Sequence, residues 1–207
     1  MELNQKNKIT IVIPTRQDNQ DTHITTESLK LQTYQNFKIV IVPDENRGAN
    51  YARNRGFKQC DTEFVLFADD DIFFKPNALE VMLETLRHFP RASYAYGRFK
   101  LGNNIWSHQM FDPVLLCCAN YISTMSLIRS EDFRLSGGFD ESLKGYQDWD
   151  LFLNLLINHK KRGAYCNDLI FTTEPREGIS TNRTMECARI INDKYKLGLA
   201  RFNTGYL

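Results

Sequence analysis

Three consecutive carboxylates, Asp69-Asp70-Asp71, close an apolar run, Phe64-Val65-Leu66-Phe67-Ala68, and lead into Ile72-Phe73-Phe74-Lys75-Pro76-Asn77. An uninterrupted apolar run of this kind reads as a strand buried on both faces, as in a parallel sheet. Ligands of open α/β sheets bind beyond the carboxyl ends of the strands, which is where these aspartates fall. Three adjacent carboxylates repel one another and call for a positive partner. A hard divalent cation carrying substrate phosphates suits them, since Mg²⁺ takes one or two carboxylates together with phosphate oxygens. For a lone acidic triplet, a turn capping the next helix is the plainer alternative, so the weight falls on the rest of the chain.

Composition narrows the classes. The chain has 207 residues and a net charge of +1, enough for one α/β domain and without the basic excess that nucleic-acid or bulk membrane binding would bring. No apolar run approaches the roughly 20 residues that span a bilayer. The start, Met1 to Lys8, lacks the apolar core of a signal peptide. Cys60, Cys117, Cys118, Cys166 and Cys187 form no CxxC pair and read as reduced, buried thiols, which fits a cytoplasmic protein.

Elements must then position the acidic triplet. Lys8 to Thr15 is a β-branched strand stopped at Pro14, Thr22 to Leu31 a helix, Phe37 to Val42 a second buried-type strand, and Ala49 to Phe57 a helix. With the acidic strand following, this alternation predicts βαβ units on a parallel sheet. Asn77 to Phe89 carries Leu79, Met82, Leu83 and Leu86 at helical spacing. Beyond it, Ser93–Phe99 and Tyr121–Ile128 read as strands, Glu131–Leu135 as a short helix and Gly137–Glu141 as a turn. Asp148–Asn158 is helical by pattern, Tyr165–Thr172 an edge strand, and Met185–Leu197 a helix in the tail. The stretch from Gly102 to Leu116 lacks periodicity and is expected to be a mobile loop.

Five segments together resemble family 2 glycosyltransferases with the GT-A fold. They are Ile11-Val12-Ile13-Pro14-Thr15, Ser28-Leu29-Lys30-Leu31-Gln32-Thr33-Tyr34-Gln35-Asn36-Phe37, Arg47-Gly48-Ala49-Asn50-Tyr51-Ala52-Arg53-Asn54-Arg55-Gly56, the acidic triplet, and Gly137-Gly138-Phe139-Asp140-Glu141 with Gln147-Asp148-Trp149-Asp150-Leu151. Each alone is weak; the five in the family's order, from about Lys8 to Ser180, are a strong signal. The resemblance implies a Rossmann-like α/β fold with a mainly parallel central sheet flanked by helices. It implies a glycosyltransferase domain over residues 1–180, with a donor half at about 8–100 and an acceptor half at about 101–180, and a helical tail over 181–207.

It also implies roles. A nucleotide-diphosphate sugar, in the family most often of uridine, would be the donor. Mn²⁺ or Mg²⁺ held by Asp71 and Asp69 would neutralise the departing diphosphate. Asp70 would contact ribose, Asp44 the base, and Arg53 the base or diphosphate, with Pro14, Thr15 and Arg16 lining the same pocket. Asp148 would be the general base of an inverting transfer. Asp140, Glu141 and Trp149 would touch the acceptor, a glycan or a lipid- or protein-linked sugar, with peripheral membrane association left open and nucleic acid excluded. The chain departs from the family pattern in three places. The loop Pro43-Asp44-Glu45-Asn46 is short, Gln147 replaces the usual glutamate, and Thr173 to Gly178 lacks the usual histidine. Hence two alternatives stand beside transfer: a degenerate relative that binds sugar without transferring it, and a sugar-1-phosphate nucleotidyltransferase. The four histidines, His23, His88, His108 and His159, are scattered and read as surface or core residues.

Overall fold

A computed structural model describes residues 8–16, 21–175 and 181–198, side chains of 181–184 excepted. The first strand, β1 (Ile9–Thr15), lies between β2 (Phe37–Pro43) and β3 (Phe64–Phe67) in parallel pairing. Side-chain alternation then divides the core. Ile9, Ile11 and Ile13 face one side with Phe64, Leu66 and Ala68, while Val12, Val65 and Phe67 face the other. Helices α1 (His23–Lys30) and α3 (Ala78–His88) cover the first side through Leu29, Leu79, Met82, Leu83 and Leu86. On the second side lies α2 (Ala49–Phe57), where Gly56 approaches so closely that a Cβ would stand 2.3 Å from a Val12 methyl. Only a glycine lets helix and strand meet at that distance.

The sheet continues as β2-β1-β3-β7-β5-β8-β4, where β4 is Phe73–Phe74, β5 Tyr94–Leu101, β7 Leu127–Arg129 and β8 Gly163–Thr173; β6 (Asn104–Trp106) pairs only with β5. Parallel ladders are the longest, with seven, four and eight residue pairs for β1·β2, β1·β3 and β5·β8. The antiparallel ladders hold two or three pairs each. The mainly parallel sheet expected from the sequence therefore stands, with β7 inserted against its grain.

Five expectations need correction. Of the cysteines expected to be buried, Cys118 is exposed and Cys117 half-buried, because both lie on the short helix α4 (Pro113–Cys118), whose one buried residue is Leu116. β2 is an edge strand, and Ile39 and Ile41 on it are exposed, because it has a neighbour on one side only. β8 is not an edge strand: β5 and the two-residue β4 pair on either side of it. Tyr121–Ile128 is strand only from Leu127, since Ser123 and Ser126 turn the chain through their own backbone contacts. Gly102–Leu116 is not a plain loop. It holds the return strand β6 and the start of α4 (Pro113–Cys118), a short helix capped by Asp112, which accepts from Val114 and Leu115 N–H. The cap, with Pro113 at the first position, is a local signal that periodicity does not register.

The second side of the sheet also receives α5 (Ser130–Ser136), α6 (Gln147–Ile157) and α7 (Thr181–Tyr195), the last through Cys187, Ala188 and Ile191. The amino-terminal residues 1–7, the stretch 17–20 and residues 176–180, which include part of the histidine-less segment, lie outside the described residues. No helix among those described is long and apolar enough to cross a membrane.

Candidate active site

The carboxyl ends of β1, β2 and β3 lie side by side. Asp44 N–H donates to Thr15 C=O at 2.8 Å, and Ala68 N–H to Val12 C=O at 3.0 Å. Thr15, Asp44 and Asp69 are thereby brought to one edge, with Pro14 and Arg16 beside them. Past Ala68 the chain turns through Asp70 and Asp71, and this acidic turn is held from behind by α1. Thr25 Oγ1 donates to Asp69 C=O at 2.8 Å and accepts from Ile72 N–H at 2.9 Å. Ser28 Oγ accepts from Phe74 N–H, and Gln32 spans Lys75 C=O and Leu79 N–H. The Ser28–Gln32 part of the family-like segment is therefore a clamp on the acidic turn, a role its spacing does not announce.

A second clamp comes from α2. Arg53 is 2% exposed; its Nη2 donates to Asp69 Oδ1 at 2.6 Å, its Nη1 to Asn50 Oδ1 at 3.2 Å, and its guanidinium lies over Phe139. Asn50 donates to Asp140 C=O and Leu143 C=O. Asn54 donates to Phe139 C=O and accepts from Phe139 N–H. Gly138, with φ +90°, passes so near Asn54 that a Cβ would sit 2.6 Å from its Oδ1. One face of α2 thus ties the Gly-Gly-Phe-Asp-Glu turn to the acidic strand. Arg53, expected at the nucleotide, is buried against Asp69.

Asp148 stands in the first turn of α6, a position that the helix dipole makes favourable for a carboxylate. Its Oδ1 accepts from Trp149 N–H and from Asn120 Nδ2, each at 2.9 Å. Both of these donors go to the same oxygen, Oδ1. Burial pushes the carboxyl above the ordinary carboxylate range, against the pull of those two hydrogen bonds and of the Arg53 charge. A raised value makes the anion a stronger proton acceptor.

Asp69 and Asp148 open onto the same cavity of about 420 Å³. Gln147 and Asn120 share its polar end, while Phe99, Leu101, Leu115, Ile122 and Met125 supply apolar wall. Much of its lining is Trp106, which the sequence offers either for stacking on a sugar or for packing, with Ser107 to Gln109 and Asn120 to Met125, to which the sequence assigns no site role. His108 is among them although its sequence surroundings gave no sign of it. The segment is stitched together by hydrogen bonds from Ser107 Oγ to Tyr121 C=O and from Tyr96 OH to Gln109 C=O.

Other expected site residues stand elsewhere. Trp149 is buried, donating from Nε1 to Leu116 C=O at 2.7 Å, and so ties α4 to α6. Asp140 caps Ser142 and meets Lys194 at 3.1 Å, and Glu141 meets Arg47 and Asn54. Asp150, 3% exposed, takes Lys194 Nζ at 2.8 Å and Tyr195 OH at 3.0 Å. Asp44 closes a tight turn by accepting from Asn46 N–H, and Glu45 fastens that short loop to Arg55 and Tyr51.

The carboxylates fit a divalent cation in one way only. Among the described residues no three His, Cys, Asp or Glu side chains gather as a metal cage. Arg53 meets Oδ1 of Asp69, and carboxylates of Asp69 and Asp71 would be the sparse one- or two-carboxylate set that Mg²⁺ completes with phosphate oxygens.

The profile of the glycosyltransferase-like family 2 matches residues 19–174. An uncharacterized glycosyltransferase of Haemophilus influenzae is 25% identical over 181 residues, covering 72% of this chain and 62% of its own length. The uncharacterized glycosyltransferase YwdF of Bacillus subtilis is 22% identical over 197 residues, covering 79% of this chain and 74% of its own. The chain therefore spans less than two thirds of the Haemophilus relative. Among solved structures, S. aureus TarS 1-349 in complex with UDP-GlcNAc superposes with a TM-score of 0.72 at 20% identity, covering 90% of this chain and 66% of that one. That likeness establishes the GT-A-type fold.

Proposed function

Because the chain belongs to the glycosyltransferase-like family 2, we propose that its cavity transfers a sugar from a nucleotide-diphosphate sugar to an acceptor hydroxyl, with inversion. The carrying observation is the pair of carboxylates on one cavity: Asp69, and Asp148 with its Oδ1 pinned by two donors. TarS, the structural neighbour, was crystallised with UDP and with UDP-GlcNAc, which favours a uridine diphosphate sugar as donor here.

In this reading Asp44 accepts from the base, with Pro14, Thr15 and Arg16 around it, and Asp70 meets the ribose. A divalent cation held by Asp71 and Asp69 supplies positive charge to the diphosphate when bound. Asp148 Oδ2 takes the proton of the acceptor hydroxyl while that oxygen bonds to the anomeric carbon. The bond from that carbon to the diphosphate oxygen breaks on the opposite face, and its electron pair leaves with the nucleoside diphosphate. Arg53 keeps Asp69 in place from within the core. Asp140, Glu141 and Trp149 stand off the cavity and hold the elements around it, through Lys194, Asn54 and Leu116.

A nucleotidyltransferase would need a glycine-rich basic loop directly after β1, and Pro14-Thr15-Arg16-Gln17-Asp18 is not one. A panel of nucleotide sugars, incubated with Mn²⁺ or chelator and scored for release of the nucleoside diphosphate, tests the proposal. Metal-stimulated release from one donor supports it. Binding of a nucleotide sugar without turnover, with every acceptor offered, would leave a sugar-binding relative instead.

A further inference from the structure

Asn120 follows α4 and reaches Asp148 across the cavity, which the transfer chemistry does not require of it. A carboxylate presents only acceptors, so the amide nitrogen of Asn120 must face Asp148 and the amide oxygen must face away. That oxygen is buried and has no partner. The indole N–H of Trp106, on a second residue lining the same cavity, is likewise buried and unpartnered. Each neighbours one end of the Ser107 Oγ to Tyr121 C=O hydrogen bond, so the two segments run side by side here. The structure therefore holds one orphan acceptor, on the residue that touches the proposed base, and one orphan donor on the lining of the same cavity. Leaving such groups unpaired is costly in a protein interior, and a hydroxyl, which donates and accepts, meets both needs.

We propose that Asn120 is a positioning and specificity residue of an acceptor subsite. Its amide nitrogen pins Oδ1 of Asp148, and its amide oxygen, with the Trp106 N–H, engages a second hydroxyl of a polyhydroxylated acceptor. The subsite thus selects a polyol that carries a hydroxyl adjacent to the one deprotonated. Both orphan atoms are closed to solvent, so the 106–121 segment adjusts as the acceptor enters. This rests on the transferase reading, and the experiment keeps the two apart.

The first arm needs no substrate. The Asp148 carboxyl is titrated by ¹³C NMR in the wild type, Asn120→Ala and Asn120→Asp. Loss of the amide donor raises the Asp148 pKa, a shift of roughly fivefold in acidity for one hydrogen bond, and the second carboxyl raises it further. An unchanged titration in both variants overturns the positioning role, whether or not transfer occurs. The second arm uses methyl glycosides and their monodeoxy derivatives, with UDP present, read by saturation transfer. Removing the matching hydroxyl weakens binding roughly tenfold in the wild type, and in Asn120→Ala that penalty disappears. An equal penalty in the variant, or no glycoside binding at all, overturns the hydroxyl-reading role. Failure of the wild type to bind UDP would instead count against the transferase reading, while the titration still decides the positioning.

Discussion

Replacing Asp148 by asparagine separates chemistry from stability at a single atom. The asparagine keeps its oxygen toward Trp149 N–H and Asn120 Nδ2, both at 2.9 Å in the wild type, because both of those groups donate and need an acceptor. Its NH₂ then occupies the place of Oδ2, and the proton acceptor is gone. A general base contributes on the order of 10²–10⁴-fold, which is roughly 3–5 kcal/mol of barrier. Stability moves the other way. Burial raises the Asp148 pKa, so the ionised form costs the folded state something that grows as pH rises from the ordinary value of 3.8. Asparagine removes that cost, and the melting temperature at neutral pH holds or increases. Asp148→Ala leaves both donors stranded and costs about 1–3 kcal/mol, so it should melt lower. The measurements are kcat with the donor found in the panel screen, UDP affinity by calorimetry, and melting temperature for each variant. Near wild-type kcat in Asp148→Asn refutes the base. A large fall in both UDP affinity and melting temperature refutes the argument from the hydrogen bonds.

Other perturbations probe the surrounding framework. Asp71→Asn weakens binding of UDP in the presence of Mn²⁺, and calorimetry with excess chelator should reduce the wild type to the same level; equal affinities throughout would argue against a cation there. Lys194→Met strips a cation from buried Asp150, an effect of about 1–2 kcal/mol once the lysine's partial exposure is allowed for, visible as a melting temperature lower by about 2–8 °C. Burial works against the Lys194 charge, but Asp150 and then Asp140 outweigh it and raise its pKa, so this contribution is intact at neutral pH and fades as pH climbs past 10.5; a variant that melts like the wild type at pH 7 contradicts the pairing. Gly56→Ala places a methyl 2.3 Å from Val12 and costs about 1–3 kcal/mol by chemical denaturation, with no loss meaning that α2 is free to lift from β1.

The first half of the chain was legible because its signals are periodic and short-ranged. The β-branched runs, the helix over Ala49–Phe57 and the acidic turn could be read one segment at a time. Motif residues were legible as a set but not by role. Nothing in the spacing of Ser28, Gln32, Asn50 and Asn54 shows that they hold other loops, since their partners lie between 43 and 93 residues away. The cavity wall was hidden for the same reason. Trp106, His108 and Asn120 sit in stretches without a repeat, and only the folding of β6 along β5 and of the segment after α4 toward Asp148 brings them to one cavity. Burial of Trp149 was equally out of reach, because an indole beside an aspartate looks the same whether it stacks on sugar or accepts a place in the core.

The Lys194 and Tyr195 contacts change where the working unit ends. The family match stops at residue 174, yet the side chains that hold Asp150 and Asp140 come from twenty residues farther on. A gene fragment cut at the homology boundary would express a module lacking its own buckle. The helix that contains Asp148 would then lose its anchor at Asp150, two residues away. Grafting experiments and domain swaps within this family would accordingly place their junction beyond Leu197.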